Sequence, residues 1–356
     1  MAERVTIQDI ADALGVSRNT VSKAINNTGI LADATREKVL KKAMEMGYKQ
    51  FSYVTVTDTG KPSLSLSTPN ERSEVALFTT SFLGNSHFSS TMIDKFQREL
   101  SQLGYSLTMH RILQDELHRL SLPISFKKER TAGIVCIELF DPDYSQMVCN
   151  LGLPVLFIDT PTESLNKPLA ADKLYMDNRS NIHLFVKEMV RRGKMKIGFI
   201  GEYMHCHSFF ERYMGYRDAM YMLGLPIYDE YCILKNKEGV RNPSSCEYKE
   251  YLTECLKKIK NLPDVFICAN DFVALDAMDV LKKLGYSIPD DVYLCGFDDS
   301  PESKIVTPSL TTIHIHSQIM GFSAVHLLIS RIKEPSLNYR TMHTETSLIY
   351  RASTED

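Results

Sequence analysis

Apolar residues in the first 48 positions recur at helical spacing. Ile7, Ile10, Ala11 and Leu14 fall on one face after Thr6, which predicts an N-cap and a short helix ended by Gly15. Ser17 caps a second helix whose apolar side is Val21, Ala24 and Ile25. A third, carrying Val39, Ala43 and Met46, is closed by Gly47. Helix, short turn with Gly, helix is the spacing of a helix-turn-helix. From Glu74 onward the pattern changes to short apolar runs rich in β-branched residues, alternating with amphipathic stretches. The runs EVALFT (74–79), YSLTMH (105–110), GIVCIEL (133–139), PVLFID (154–159), KIGFIG (196–201), DVFICAN (264–270) and VYLCGF (292–297) predict strands. Segments 89–103, 180–192, 211–223, 246–260 and 271–284 predict helices between them. This βαβ alternation implies doubly wound parallel sheets of the α/β class, covered on both faces.

Between these two regimes, residues 51–72 are rich in Ser and Thr and show no 3.6-residue period, which reads as a linker. At 356 residues the chain is long for one core. Composition adds one feature. Residues 1–50 hold eight Lys/Arg against six Asp/Glu, a net of +2, so the remainder carries −5 of the total −3. A basic head precedes an acidic body. The eight cysteines form no CxxC pair and suggest buried free thiols. The start MAERVTIQDI has no apolar signal core, and no run of about 18 apolar residues occurs. A cytoplasmic protein with no membrane partner is expected.

The second helix carries Arg18, Asn19, Ser22, Lys23 and Asn26 opposite its apolar side. A recognition helix in the major groove uses such side chains near its N-terminus. Arg donates twice to guanine, Asn bonds adenine bidentately, and Ser and Thr adapt to bases or phosphates. A solvated helix face is the plainer alternative, but such faces run to Glu and Lys. Polar residues just after strands (Asp159, Asn270, Asp271, Asp298, Asp299) are candidates for a ligand site, because open α/β sheets bind at the carboxyl ends of their strands.

The segments VTIQDIADALGVSRNTVSKAINN and TREKVLKKAMEMGY resemble the DNA-binding headpiece of the lactose-repressor (LacI/GalR) family of bacterial transcription regulators. The resemblance continues in DN at 177–178, RYMGY at 212–216, ANDFVALDAM at 269–278, IPDDVYLCGFDD at 288–299 and PSLTTIH at 308–314. It implies a three-helix headpiece over 1–50, a hinge over 51–72 and a two-lobed core resembling periplasmic binding proteins over 73–356. Lobe 1 is expected near 73–178 and 316–335, lobe 2 near 179–314 and 336–356. The matching DNA-contacting positions are Thr6, Ser17, Arg18, Asn19, Thr20, Ser22, Lys23 and Asn26. Those matching the effector cleft are His87, Phe88, Asp159, Arg212, Asn270 and Asp298. An Arg fork and an Asp can clamp vicinal hydroxyls or a carboxylate, and Phe88 can stack on a sugar face. An Arg and an Asp at strand ends can also simply pair with each other.

The expected function is a homodimeric repressor of a near-palindromic double-stranded operator, set by a small metabolite in the cleft between core lobes, a carbohydrate in the form of a sugar or sugar phosphate. No cofactor is expected. An enzyme is disfavoured by the lack of GxGxxG, GxxxxGK[ST], HExxH and GxSxG motifs. His205-Cys206-His207 and His314-x-His316 have metal-like spacing, but the sequence places no further ligand beside them. Control by a protein corepressor, or effector-independent DNA binding, are the alternatives. Against the family pattern, Val54, Thr55, Val56 and Thr57 resist helix and Gly60-Lys61-Pro62 breaks it, so a hinge helix is not expected.

Overall fold

The computed structural model describes residues 5–26, 31–46, 72–80, 87–236 and 245–355. The expected linker, residues 51–72, lies almost entirely outside them.

Three helices open the chain: α1 (Ile7–Leu14), α2 (Arg18–Asn26) and α3 (Asp33–Glu45). The first is defined locally at both ends. The Thr6 hydroxyl accepts from the Asp9 amide, and the Asp9 carboxylate accepts in return from the Thr6 amide, a reciprocal capping box. Gly15 closes the helix at φ 64°, the left-handed conformation that costs glycine least. Val21, Ala24 and Ile25 of α2 are buried against Ile10, Ala11 and Val39, as the spacing predicts. The apolar cluster of the headpiece also takes in Ile319 and Phe322 from a helix far along the chain.

Two compact units follow from the packing. The first comprises residues 1–159, 166–174 and 316–345; the second 160–165, 175–315 and 346–356. In the first, a six-stranded sheet runs in the order β11-β5-β4-β3-β1-β2. Its strands are β1 (Glu74–Thr79), β2 (Ser106–Arg111), β3 (Thr131–Ile137), β4 (Val155–Ile158), β5 (Asp172–Met176) and β11 (Thr341–Thr344). The β1–β5 pairings are parallel. Every residue of β1, β3 and β4 is buried, which is why these strands read as unbroken apolar runs rather than alternating ones. Helices α4 (His87–Gln102) and α12 (Ser317–Lys333) cross closely on one face. A Cβ at Gly321 would lie 2.4 Å from the Met92 carbonyl, so only glycine allows that approach.

The second unit has a parallel sheet in the order β7-β6-β8-β9, made of β6 (Ile197–Ile200), β7 (Cys232–Ile233), β8 (Val265–Cys268) and β9 (Tyr293–Cys295). Its helices include α7 (Ser180–Arg191), α8 (His207–Met222), α9 (Cys246–Lys258) and α10 (Asp271–Lys283). An antiparallel pair, β10 (Thr312–Ile315) with β12 (Thr346–Ile349), completes it.

The unit boundaries differ from the sequence expectation at residues 160–165 and 175–178, expected in lobe 1 but placed in the second unit, and at one longer segment. Residues 336–345, expected in lobe 2, belong to the first unit, because β11 joins the sheet beside β5. The anchor is Asp172, fully buried, which accepts from Arg331 Nε at 3.1 Å and Nη2 at 2.9 Å and from Arg340 Nη2 at 2.8 Å. Burial alone would raise its pKa, but these guanidinium bonds hold it below the usual carboxylate range. All eight cysteines are unpaired, four of them buried.

Candidate nucleic-acid interface and ligand site

The eight sequence-predicted DNA residues divide into caps and open groups. Thr6 caps α1. Ser17 Oγ accepts from the Thr20 amide at 3.0 Å, and the two hydroxyls lie 2.8 Å apart, so Ser17 and Thr20 together build the start of α2. Asp9, held by the Thr6 amide and hydroxyl, has its pKa lowered. Arg18 and Asn19 project exposed from the first turn of α2, while Ser22 and Lys23 are half-buried on its flank. Asn26 ends the helix; its side chain is outside the described set. With Arg18 and Asn19 at its start, no acidic residue in its first turn and Lys23 in its last, α2 carries cationic and amide groups along its length.

Of the predicted cleft residues, His87 and Phe88 begin α4 in the first unit, and their side chains are also outside the described set. Asp159 follows β4 at φ 64°, its amide donating to the Leu174 carbonyl. The second unit holds Arg212, Asn270 and Asp298. Asn270 Oδ1 accepts from the Val273 amide at 3.0 Å and thereby caps α10. What it retains for a ligand is its amide nitrogen.

Arg212 and Asp298 are brought together. The guanidinium is 3% exposed and lies 3.6 Å from the Phe297 ring centroid, a cation–π stack, with Phe209 at 5.5 Å. Its Nε donates to Asn178 Oδ1 at 3.0 Å and its Nη1 to the Ala269 carbonyl at 2.7 Å. Asp298 Oδ1 stands 3.6 Å from Nη1, an ion pair too long for a hydrogen bond. Among the described residues, Nη2 makes no hydrogen bond. The fork is thus fixed by the protein on one side and keeps donors in hand. Asp298 and Asp299, three and four residues after the end of β9, carry φ of 115° and 55°, the kind of sparsely populated backbone that collects at ligand sites.

Sequence reasoning passed over the groups that hold the fork. Asn178 also donates from Nδ2 to Glu211 Oε2 at 3.0 Å, and His207 Nε2 lies 3.7 Å from Glu211 Oε1. Asn178 and Phe297 sat inside the DN and CGFDD motifs, the only signal available for them. Beneath the site, Asp271 is fully buried. It accepts from the Ser300 amide at 2.7 Å and the Thr312 hydroxyl at 2.6 Å, while burial and neighbouring Asp298 push its pKa up to about 7. Asp299 is different: burial opposes its charge, but bonds from His314 and Arg351 bring it down to about 2. Its role is to tie β10 and the C-terminal residues to the end of β9.

Two family models match this chain. Residues 6–50 match bacterial regulatory proteins of the lacI family, and residues 186–354 match a periplasmic binding protein-like domain. The chain is 27% identical over 354 residues, 97% of both chains, to the HTH-type transcriptional repressor PurR of Vibrio parahaemolyticus. The PurR of Pasteurella multocida is likewise 27% identical, over 98% of each chain. Among solved structures, a transcriptional regulator CelR–cellobiose complex superposes with a TM-score of 0.66 at 23% identity, over 98% of this chain and 100% of that one. A lac repressor dimer bound to operator and the anti-inducer ONPF gives 0.65 at 20% identity, over 99% of this chain and 100% of that one.

Proposed function

Since the chain belongs to the lacI family of bacterial regulatory proteins, we propose that it is a homodimeric, effector-responsive repressor acting on DNA in the cytoplasm. The observation that carries this reading is the turn between α1 and α2. Gly15 in the left-handed conformation sets the turn, Ser17 and Thr20 fix the start of α2, and Arg18 and Asn19 are left exposed there. That is the end of a recognition helix that reads base edges in the major groove. A two-fold dimer matches a near-palindromic operator with one headpiece per half-site. The dimer and operator named for one structural neighbour support this arrangement.

The effector reading rests on Arg212. A guanidinium buried to this extent, stacked on Phe297 and facing a carboxylate, is preorganised to donate to one face of a polar ligand. Asp298 supplies the acceptor. Because Asp298 already balances the charge, a neutral polyhydroxylated molecule suits the pair better than a phosphate ester. The cellobiose in the CelR neighbour agrees with a carbohydrate class.

The test is a pair of headpiece variants against a selected operator. Arg18→Ala should cost about 1–3 kcal/mol and relax specificity at one base pair per half-site. Lys23→Ala should weaken all sequences alike and flatten the salt dependence. Wild-type binding by both variants would refute the assignment of α2.

A further inference from the structure

Arg212 is aimed by Asn178, and Asn178 has to be aimed in turn. Its main chain is pinned on both sides. Asp177 Oδ1 accepts from the Arg179 and Ser180 amides at 3.0 Å, and the Asp177 carbonyl accepts from the Thr346 hydroxyl at 2.9 Å. The Asn178 side chain is buried, at 1% exposure for the residue. What remains to be set is the end-for-end orientation of its amide, which puts either an acceptor or two donors against Arg212 Nε. A guanidinium has no acceptor and an ionised carboxylate has no donor, so the two neighbours admit one orientation. Oδ1 faces Arg212 Nε at 3.0 Å, and Nδ2 faces Glu211 Oε2 at 3.0 Å. Ser208 does not discriminate: its Oγ lies 3.3 Å from Nδ2, but a hydroxyl serves as donor or acceptor.

Glu211 is itself held. Arg179 Nε and His207 Nε2 each lie 3.7 Å from its Oε1, and Oε2 is turned to Asn178. It directly precedes Arg212 on α8, where adjacent side chains diverge, and the Asn178 amide bridges the two. We propose that Glu211 is a positioning residue of the ligand site, one that keeps Arg212 in place through the amide of Asn178. This rests on reading Arg212 as the effector-binding guanidinium. Without an acceptor on residue 211, the buried Nδ2 loses its partner, which costs more than the bond contributes when made. An amide that turns to find another partner takes Oδ1 away from Arg212. A donor on residue 211 reverses the amide outright, and two donors then meet at Arg212 Nε.

The experiment follows the Arg212 Nε–H proton by NMR in the full chain carrying isotope-labelled arginine, the signal being assigned by its loss in Arg212→Lys. Its exchange with solvent should quicken about ten-fold or more, equivalent to about 1.4 kcal/mol, in two variants. These are Glu211→Met, which keeps the volume and removes the acceptor, and Glu211→Lys, which offers only donors. Glu211→Gln keeps an acceptor oxygen and should stay within about three-fold of wild type. Wild-type exchange in a folded Glu211→Met or Glu211→Lys chain overturns the proposal, as does exchange in Glu211→Gln as fast as in Glu211→Met. Melting temperatures with D-glucose, D-ribose and sucrose give a second readout. A sugar that stabilises wild type should stabilise Glu211→Gln equally and Glu211→Met less, and equal stabilisation of all three overturns the proposal. If proton exchange behaves as expected while none of these sugars stabilises wild type, the effector reading of Arg212 fails and its positioning by Glu211 stands.

Discussion

Replacing Asp271 by Asn should stabilise the protein at alkaline pH and remove part of its pH dependence. Asp271 is fully buried, with Ser300 and the Thr312 hydroxyl to solvate its two oxygens and Asp298 nearby to repel its charge. Its pKa rises from 3.8 to about 7. A carboxyl raised in this way holds a proton in the folded chain that the unfolded chain has already lost, between about pH 4 and about pH 7. Across that window its contribution falls by about 1.4 kcal/mol per pH unit as pH rises, and the full penalty, on the order of 4 kcal/mol, applies above pH 7. Asn reproduces the protonated acid. Its oxygen accepts from the Ser300 amide and its NH2 donates to the Thr312 hydroxyl, with no charge to bury. Urea unfolding followed by tyrosine fluorescence, since the chain has 17 Tyr and no Trp, at intervals from about pH 5 to about pH 8 reads the difference. The variant should already be ahead by about 1–2 kcal/mol at pH 5 and by about 4 kcal/mol at pH 8. Parallel slopes, or a variant less stable at pH 8, would refute the account.

Further expectations concern the ligand site, the linker and the first unit. Arg212→Ala and Asp298→Ala should each abolish the response to any sugar found by a thermal-shift screen while leaving operator affinity nearly intact; a ligand bound far from both side chains would exclude them. If residues 51–72 form no hinge helix, inserting one or two base pairs at the operator centre should be tolerated and gel permutation should show little bending. Affinity that collapses on a single insertion would show that the linker orders on DNA. Asp172→Ala leaves the buried Arg331 guanidinium without its carboxylate and should cost about 3–5 kcal/mol in urea unfolding; a loss below about 1 kcal/mol would mean the loop carbonyls alone satisfy it.

Whatever depends on neighbours within one or two turns is legible along the chain. Thr6, Asp9, Gly15 and Ser17 define α1 and the start of α2 through bonds spanning three or four residues, so the helix-turn-helix was legible from spacing. Strands buried on both faces announced themselves as apolar runs, and β1 falls on the predicted residues 74–79. Tertiary structure decided the rest. Strand β5, DKLYM, begins with a charge and was not predicted, because Arg331 and Arg340, 159 and 168 residues away, are what make burying Asp172 tolerable. Arg212 and Asp298 were legible as candidates, but Asn178 and Ala269, which aim the guanidinium, and Phe297, which supports it, are distant in sequence from Arg212. The raised pKa of Asp271 follows from desolvation, which belongs to the packed interior and to no segment of the chain. Short-range hydrogen bonds and periodicity are written locally. Burial, charge compensation and close helix crossing are sums over residues that only folding brings together.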